Sequence, residues 1–180
     1  MKTVFIATPA FSGQVTIPYA LSLCELTYTL KAHNYHVVHR VTSSGSLLVA
    51  ERNRLIQQFW DSCADYMLCI DADLGYPAQA VLAMLDADKE FICGVYPARG
   101  TQGKEFTFRP ALNDDDTIVA ENHLLKMEYI PAGFMLLKRS VIEKMRNHFP
   151  ELYYCPKYDK EKKQAAYCFF DTEVFDGSLS

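Results

Sequence analysis

The first half of the chain alternates short apolar segments with segments of helical periodicity. This order predicts an α/β domain in which helices flank a central, mostly parallel sheet. The apolar segments predict strands at residues 3–7, 36–41, 66–70, 91–95, 106–108, 124–130, 134–137 and 167–170. Helices are predicted after a cap at Thr16 and at residues 47–62, 77–85 and 140–148. The first of these helices has Ile17, Leu21, Cys24 and Tyr28 along one stripe.

The predicted helix at residues 47–62 carries polar side chains on the side that faces the sheet. Its two inward stripes are Leu48, Arg52, Leu55 and Phe59, and Val49, Asn53, Ile56 and Trp60. A buried guanidinium or amide needs a partner because leaving it unpaired is costly. The early turns of such a helix lie at the carboxyl edge of the sheet, where ligands bind. We therefore expect Arg52 and Asn53 to find partners beside a binding site.

Composition favours one folded domain spanning residues 1–180. Apolar residues make up 49% of the chain and aromatic residues 13%, which is enough for a sizeable core. The formal net charge of −4 gives no electrostatic reason to expect nucleic acid as a partner. Six cysteines without a CxxC pair, with no secretory signal and no apolar run of membrane length, favour a reduced, cytoplasmic protein.

Two carboxylates, Asp71 and Asp73, flank Ala72 directly after the predicted strand at residues 66–70. At a strand end, one carboxylate can accept hydrogen bonds from a ribose hydroxyl while the other binds a hard divalent cation. Mg²⁺ or Mn²⁺ prefers such oxygen ligands, and a diphosphate supplies further ones. The motif is short, however, and the pair can instead serve only to cap the helix that begins near Pro77.

Arg52 is the expected cationic partner in this region. Its forked guanidinium suits a diphosphate, and it equally suits the carboxylate of Asp71. The alternative is a purely structural ion pair under the edge of the sheet.

Two short segments are further candidates for ligand contacts. Thr8 and Pro9 end the first predicted strand, where they would hold a base or ribose unless they form an ordinary turn. Gly133 follows Pro131 and Ala132, and a glycine there lets the backbone approach a ligand closely. An ordinary tight turn explains that glycine equally well.

The order of these motifs resembles the GT-A glycosyltransferases. The resemblance is carried by residues 6–9 (Ile-Ala-Thr-Pro), 50–55 (Ala-Glu-Arg-Asn-Arg-Leu) and 68–77 (Leu-Cys-Ile-Asp-Ala-Asp-Leu-Gly-Tyr-Pro). Residues 94–97 (Gly-Val-Tyr-Pro) and 131–136 (Pro-Ala-Gly-Phe-Met-Leu) resemble the small virus- and phage-encoded members, including the chlorovirus glycosyltransferase domain. The resemblance extends over most of the chain, and the order of motifs is more specific than any one of them.

The resemblance implies a Rossmann-like GT-A nucleotide-diphospho-sugar transferase fold and metal-dependent transfer of a sugar to a hydroxyl of a glycan or other acceptor. It implies that Asp71 meets the donor ribose, that Asp73 meets Mn²⁺ or Mg²⁺, and that the 131–133 loop faces the transferred sugar. A UDP-sugar is the commonest donor of such enzymes. The expected nucleotide-sugar-binding residues are Thr8, Pro9, Arg52, Asp71, Ala72, Asp73, Pro131, Ala132 and Gly133, with Asp73 and Asp71 as metal ligands.

One departure from the family concerns the catalytic base. Family members usually carry an acidic pair on a helix after the last strand, and its Asp often acts as base or contacts the acceptor. The sequence ends at Ser180 without such a pair. We therefore expect either that the chain belongs to a longer polypeptide with further domains or that Asp171 or Glu173 takes this role, with Asp171 as the candidate catalytic residue.

Two other functions remain open at this stage. A haloacid-dehalogenase-like phosphohydrolase also uses two Asp separated by one residue at a strand end, although usually on the first strand. A non-catalytic sugar-nucleotide-binding module would need no base at all. The sequence does not identify the sugar, the acceptor, the stereochemistry of transfer or the oligomeric state.

Overall fold

A computed structural model describes residues 1–10, 13–43, 47–98, 100, 105–106, 108–154, 166–171, 174–175 and 178–179. The helices are α1 (Ile17–Ala32), α2 (Leu48–Asp61), α3 (Ala78–Asp86) and α4 (Arg139–His148), with a 3₁₀ turn at Pro150–Leu152. The longer strands are β1 (Thr3–Pro9), β2 (His36–Thr42), β3 (Tyr66–Ile70), β4 (Phe91–Cys93) and β9 (Phe134–Lys138). The shorter strands are β5 (Arg109–Pro110), β6 (Ala120–Glu121), β7 (Leu124–Leu125), β8 (Met127–Tyr129), β10 (Tyr153–Tyr154), β11 (Ala166–Tyr167), β12 (Val174–Phe175) and β13 (Ser178–Leu179).

The central sheet has five strands in the order β2-β1-β3-β9-β4. The strand β1 pairs in parallel with both β2 and β3, whereas β9 runs antiparallel between β3 and β4. Four strands therefore point the same way and one points back. This arrangement confirms the prediction of an α/β protein with a mostly parallel central sheet flanked by helices.

Alternate residues of the strands build a separate core on each face of the sheet. On one face, Val4 and Ile6 of β1 pack with Leu26 of α1 and with residues of α3. On the other face, Phe5 packs against Phe59 of α2, with ring centroids 5.8 Å apart. Both faces of β1 are buried because the crossover helices lie on opposite sides of the sheet.

Cys69 in β3 behaves as a core residue. Its side chain is buried beside the second core, and burial raises the pKa of its thiol to about 12. A buried thiol in such surroundings behaves as a small hydrophobe.

The helix α1 turns a different face to the sheet from the one its apolar stripe suggests. Thr16 caps the helix through the N–H of Tyr19, as predicted. The stripe of Ile17, Leu21, Cys24 and Tyr28 nevertheless faces solvent. The buried residues are Tyr19, Ser22, Leu26 and Leu30. Ser22 tolerates burial because its Oγ accepts the N–H of Tyr76 at 2.9 Å.

The helix α2 buries Leu55, Ile56 and Phe59, as predicted. Leu48 at its first turn is exposed, contrary to the predicted stripe. Glu51 lies outside the two predicted inward stripes but is buried, and its Oε1 lies 3.5 Å from Nη1 of Arg54.

Boundaries in the second half differ more from the predictions. The predicted strand at residues 124–130 is divided into β7 and β8, which pair with β6 and β5 in two small antiparallel sheets. Phe106 forms an isolated bridge with Pro97, while residue 107 lies outside the described part of the chain. The predicted last strand at 167–170 is β11, one residue earlier and shorter, paired with β10. Among the described residues, no helix combines the length and apolar character needed to cross a membrane.

The segment 166–171 is attached to α2 and α4 by stacked guanidinium and aromatic groups. The guanidinium of Arg146 lies between the rings of Trp60 and Tyr167, 4.4 and 4.3 Å from their centroids. Arg139 also lies over Trp60, at 4.2 Å, and donates a hydrogen bond to its carbonyl. Each such contact stabilises by about 0.5–2 kcal/mol. The segment is therefore held against the side of α2 that leads to Arg52.

The burial of α1 can be tested with two leucines on the same helix. Leu26 is completely buried, so Leu26→Ala should lower the free energy of unfolding by about 2–5 kcal/mol because it leaves a cavity. Leu21 is 66% exposed, so Leu21→Ala should change it by less than about 0.5 kcal/mol. Urea denaturation followed by circular dichroism measures both. A larger loss for Leu21 than for Leu26 would contradict the orientation of α1.

Candidate functional site

The candidate site lies where the chain changes direction within the sheet. From β1 the chain passes through α1 to β2 on one side, and then through α2 to β3 on the other side of β1. Open α/β sheets bind ligands in a crevice outside the carboxyl ends of the strands at such a switch point. Asp71 is the first residue after β3 and therefore lies at this crevice.

Asp71 is fixed by contacts from two different elements. Its Oδ1 lies 3.0 Å from Nη2 of Arg52, which reaches over from the second turn of α2. Its backbone N–H donates to the carbonyl of Gly133, just before β9, at 2.9 Å. The Asp71 side chain remains 31% exposed and that of Arg52 16% exposed. The pair therefore has a fixed geometry but still faces solvent.

The other carboxylate oxygen of Asp71, Oδ2, lies on the side of Gly133 and Tyr96, and Tyr96 is not among the predicted site residues. The hydroxyl of Tyr96 accepts a hydrogen bond from the N–H of Gly133 at 3.0 Å. A Cβ built on Gly133 would lie 2.5 Å from Oδ2 of Asp71 and closer still to the Tyr96 hydroxyl oxygen. Both oxygens therefore approach the same backbone position. Burial, and then the nearby charge of Asp71, raise the pKa of Tyr96.

The ligand contacts predicted from the sequence lie at the ends of the first and third strands, on α2 and in the 131–133 turn, so Tyr96 after β4 is not among them. Tyr96 follows β4, which points the same way as β1 and β3, so its side chain emerges at the same edge of the sheet. Residues at the carboxyl ends of strands that run in the same direction share one edge. The position of Tyr96 directly after the strand predicted at residues 91–95 was therefore the signal available.

Glycine is required at position 133 by close packing. The φ angle of Gly133 is not in the positive region, so its backbone conformation is one that other residues adopt. Any side chain there would instead collide with Tyr96 and with Asp71. The predicted close approach at Gly133 thus involves two side chains of the protein itself.

Asn53 of α2, like Arg52, has the partner that its predicted position on the helix requires. Asn53 is 1% exposed, and its amide donates to the carbonyl of Phe170 and accepts the N–H of Phe170, both at 2.8 Å. The ring of Phe170 lies 5.6 Å from the guanidinium carbon of Arg52. Asp171, the next residue, is exposed. Asn53 therefore holds the segment that carries Asp171 beside the Arg52–Asp71 pair. Glu173 lies outside the described residues.

The remaining candidates differ in how much of them reaches the crevice. Thr8 is completely buried within β1 and its hydroxyl is hydrogen-bonded to that of Tyr19. Pro9 ends the strand and is partly exposed. The carbonyl of Ala72 accepts the N–H of Thr16 at 2.9 Å, which ties the loop after β3 to the start of α1.

Asp73 is exposed on this loop, and Pro131 and Ala132 are partly exposed on the turn before β9. Because Gly133 follows directly, this turn is bound to Asp71 and Tyr96 through one residue. The structure thus brings Arg52, Asp71 and Gly133 into direct contact and leaves Asp73 on the solvent side of the loop.

A divalent ion at this site would need ligands beyond those that the described residues supply. Within the described part of the chain, no three His, Cys, Asp or Glu side chains are grouped closely enough to hold a metal. One oxygen of Asp71 is already paired with Arg52. Magnesium-like ions commonly combine one or two carboxylates with phosphate oxygens and water. The donor set of the described residues therefore fits an ion that binds together with a diphosphate and does not fit one held by these residues alone.

Comparisons with known proteins give little further information. No family model matches the chain, and no curated protein matches it. Among solved structures it is similar to one described as the crystal structure of a glycosyltransferase involved in the glycosylation of the major capsid of PBCV-1. The identity is 13%, the match covers 82% of this chain and 68% of that chain, and the TM-score is 0.43. A likeness of this size supports no conclusion about function, which must come from the site.

The packing at Gly133 predicts a strong effect of one methyl group. Gly133→Ala should lower the free energy of unfolding by about 1–3 kcal/mol, because the new Cβ displaces Tyr96 or Asp71. Urea denaturation measures the loss. As a control, Gly133→Ala combined with Tyr96→Phe should cost less than the sum of the two single changes, since one colliding atom is gone. Strictly additive losses would contradict the contact.

Proposed function

We propose that this chain is a metal-dependent glycosyltransferase of the GT-A type. It binds a nucleotide-diphosphate sugar, most simply a UDP-sugar, and transfers the sugar to a hydroxyl of a glycan or other acceptor. The observation that supports this most is the Arg52–Asp71 pair at the carboxyl end of β3, in the crevice between β1 and β3. A crevice at this point of an α/β sheet is where nucleotides bind, and a partly exposed Arg is suited to phosphate oxygens.

The proposed roles follow from the charges at the site. The guanidinium of Arg52 has five N–H donors, so it can hold Asp71 and still donate to a diphosphate. Asp71 repels phosphate oxygens, so its free oxygen is assigned to the donor ribose. Asp73, exposed two residues further along the loop, is assigned to Mn²⁺ or Mg²⁺, with a remaining lone pair of the Asp71 carboxylate as a second ligand. When bound, the ion neutralises charge that develops on the leaving diphosphate.

Further backbone contacts are assigned to the loops around the crevice. Pro9 at the end of β1 and Ala72 after β3 would line the nucleotide, and the turn of Pro131 and Ala132 would face the sugar. The side chain of Thr8 is committed to Tyr19, so any contribution of this residue comes from its backbone. These assignments use only groups at the carboxyl edge of the sheet.

Asp171 is assigned as the base. Its carboxylate would take the proton of the acceptor hydroxyl while the hydroxyl oxygen bonds to the anomeric carbon and the bond to the diphosphate breaks. The two hydrogen bonds between Asn53 and the backbone of Phe170 support this assignment, because they hold Phe170, the residue before Asp171, against Arg52 at the crevice. A carboxylate on an unattached segment would lack a defined position.

The donor site is tested by calorimetric titration of UDP and UDP-glucose with and without Mn²⁺. Wild-type protein should bind the nucleotide more tightly with Mn²⁺ than without it. In Asp73→Asn this increase in affinity should be at least about tenfold smaller, because even the loss of an outer-shell partner of a metal lowers affinity by about that much. Asp114→Asn, in the exposed loop of three consecutive Asp, is the matched control and should bind like wild type. Absence of nucleotide binding by wild type, with or without metal, would refute the proposal.

The base is tested by release of UDP from UDP-sugars in the presence of glycan acceptors. Asp171→Asn should reduce turnover by about a hundredfold or more while donor affinity stays unchanged, since general base catalysis contributes about that much. Glu151→Gln, an exposed acid on the 3₁₀ turn, is the control. Donor binding with no turnover in wild type would indicate a binding module, and phosphate release without acceptor would indicate a phosphohydrolase.

A further inference from the structure

Tyr96 and Asp71 together present one donor and one acceptor to the crevice. The Tyr96 hydroxyl oxygen accepts the N–H of Gly133. Among the described residues, no group accepts a hydrogen bond from the Tyr96 hydroxyl in return. Asp71 uses Oδ1 for Arg52, which leaves Oδ2 on the side of Gly133 and Tyr96. Since both oxygens border the point that a Cβ on Gly133 would occupy, they lie close enough together for a single small ligand group to reach both.

The chemistry of these two groups restricts what that ligand group can be. An ionised carboxylate only accepts hydrogen bonds, whereas the remaining capacity of the Tyr96 hydroxyl is to donate. A phosphate oxygen satisfies the phenol but is repelled by the carboxylate. A hydroxyl satisfies both, because one oxygen donates to Asp71 and accepts from Tyr96. The pair therefore selects a sugar hydroxyl and disfavours a phosphate at this position.

We infer that Tyr96 is a specificity-determining residue which, with Asp71, binds one hydroxyl of a sugar ring in the nucleotide donor. The inference rests on the proposed function and extends it to a residue outside the carboxylate motif. Tyr96 is well placed for this role because its hydroxyl is oriented by a buried backbone N–H before any ligand arrives. Groups held in place in advance bind with a smaller loss of conformational entropy.

The tip of β4 is also held rigidly. The N–H of Gly94 donates to the carbonyl of Phe134 at 2.9 Å, and a side chain at Gly94 would collide with the Phe134 ring. Pro97, on the other side of Tyr96, forms a bridge with Phe106. Tyr96 is therefore anchored on both sides as well as through its hydroxyl.

The test compares nucleotides that differ by one hydroxyl. Calorimetric affinities for UDP, 2′-deoxy-UDP, 3′-deoxy-UDP and UDP-glucose, all with Mn²⁺, are measured for wild type, Tyr96→Phe and Tyr129→Phe. Tyr129 is a half-exposed tyrosine in β8 and serves as the matched control. If the bound hydroxyl belongs to ribose, UDP should bind more tightly than the nucleotide that lacks this hydroxyl. The ratio of the two affinities should be about fivefold smaller in Tyr96→Phe than in wild type. If it belongs to the transferred sugar, the preference for UDP-glucose over UDP should fall by about fivefold instead.

A merely structural role for Tyr96 gives a different result. Tyr96→Phe would then weaken all four nucleotides by the same factor, through displacement of Gly133, and the ratios between them would stay as in wild type. That result overturns the inference and leaves the proposed function standing. Absence of binding to every nucleotide in wild type would overturn the proposed function, and the inference with it. Unchanged ratios in Tyr129→Phe confirm that the effect belongs to position 96.

Discussion

Parallel pairing of β1 with both β2 and β3 is the constraint from which the arrangement of the site follows. Parallel neighbours need crossover connections, and here these are α1 and α2, on opposite faces of the sheet. The chain therefore reverses its direction across the sheet at β1, and ligands of such sheets bind outside the carboxyl ends of the strands at this switch point. Asp71 lies there because it is the first residue after β3.

A second constraint is the pairing of Arg52 and Asn53, the polar residues on the side of α2 that faces the sheet. Arg52 meets Asp71, and Asn53 meets the backbone of Phe170. The first pairing orients a carboxylate at the crevice, and the second draws the distant C-terminal segment to the same place. The cost of leaving either group unpaired therefore contributes both to stability and to the assembly of the site. Asn53 thereby joins α2 to a residue 117 positions further along the chain.

The parts of the fold that follow from local patterns could be predicted from the sequence. The strand Tyr66–Ile70 was located without error because it is a continuous apolar run, and the need of Arg52 and Asn53 for partners followed from their positions on α2. The inward face of α1 was obscured because it contains Ser22, whose burial depends on the backbone of Tyr76. Such a tertiary hydrogen bond leaves no trace in hydrophobic periodicity.

Tyr96 illustrates the same limit within the site. Its contact with Gly133 depends on β9 lying between β3 and β4, an insertion that comes from a segment about forty residues later in the chain. Gly133 then acts on three groups at once, since its carbonyl accepts from Asp71, its N–H donates to Tyr96, and its missing side chain allows both to approach. The spacing between the carboxylate and the phenol is thus fixed by backbone. Under the proposed function, a site built in this way would discriminate between ligands by the pattern of donors and acceptors, because neither group can move far to suit a different one.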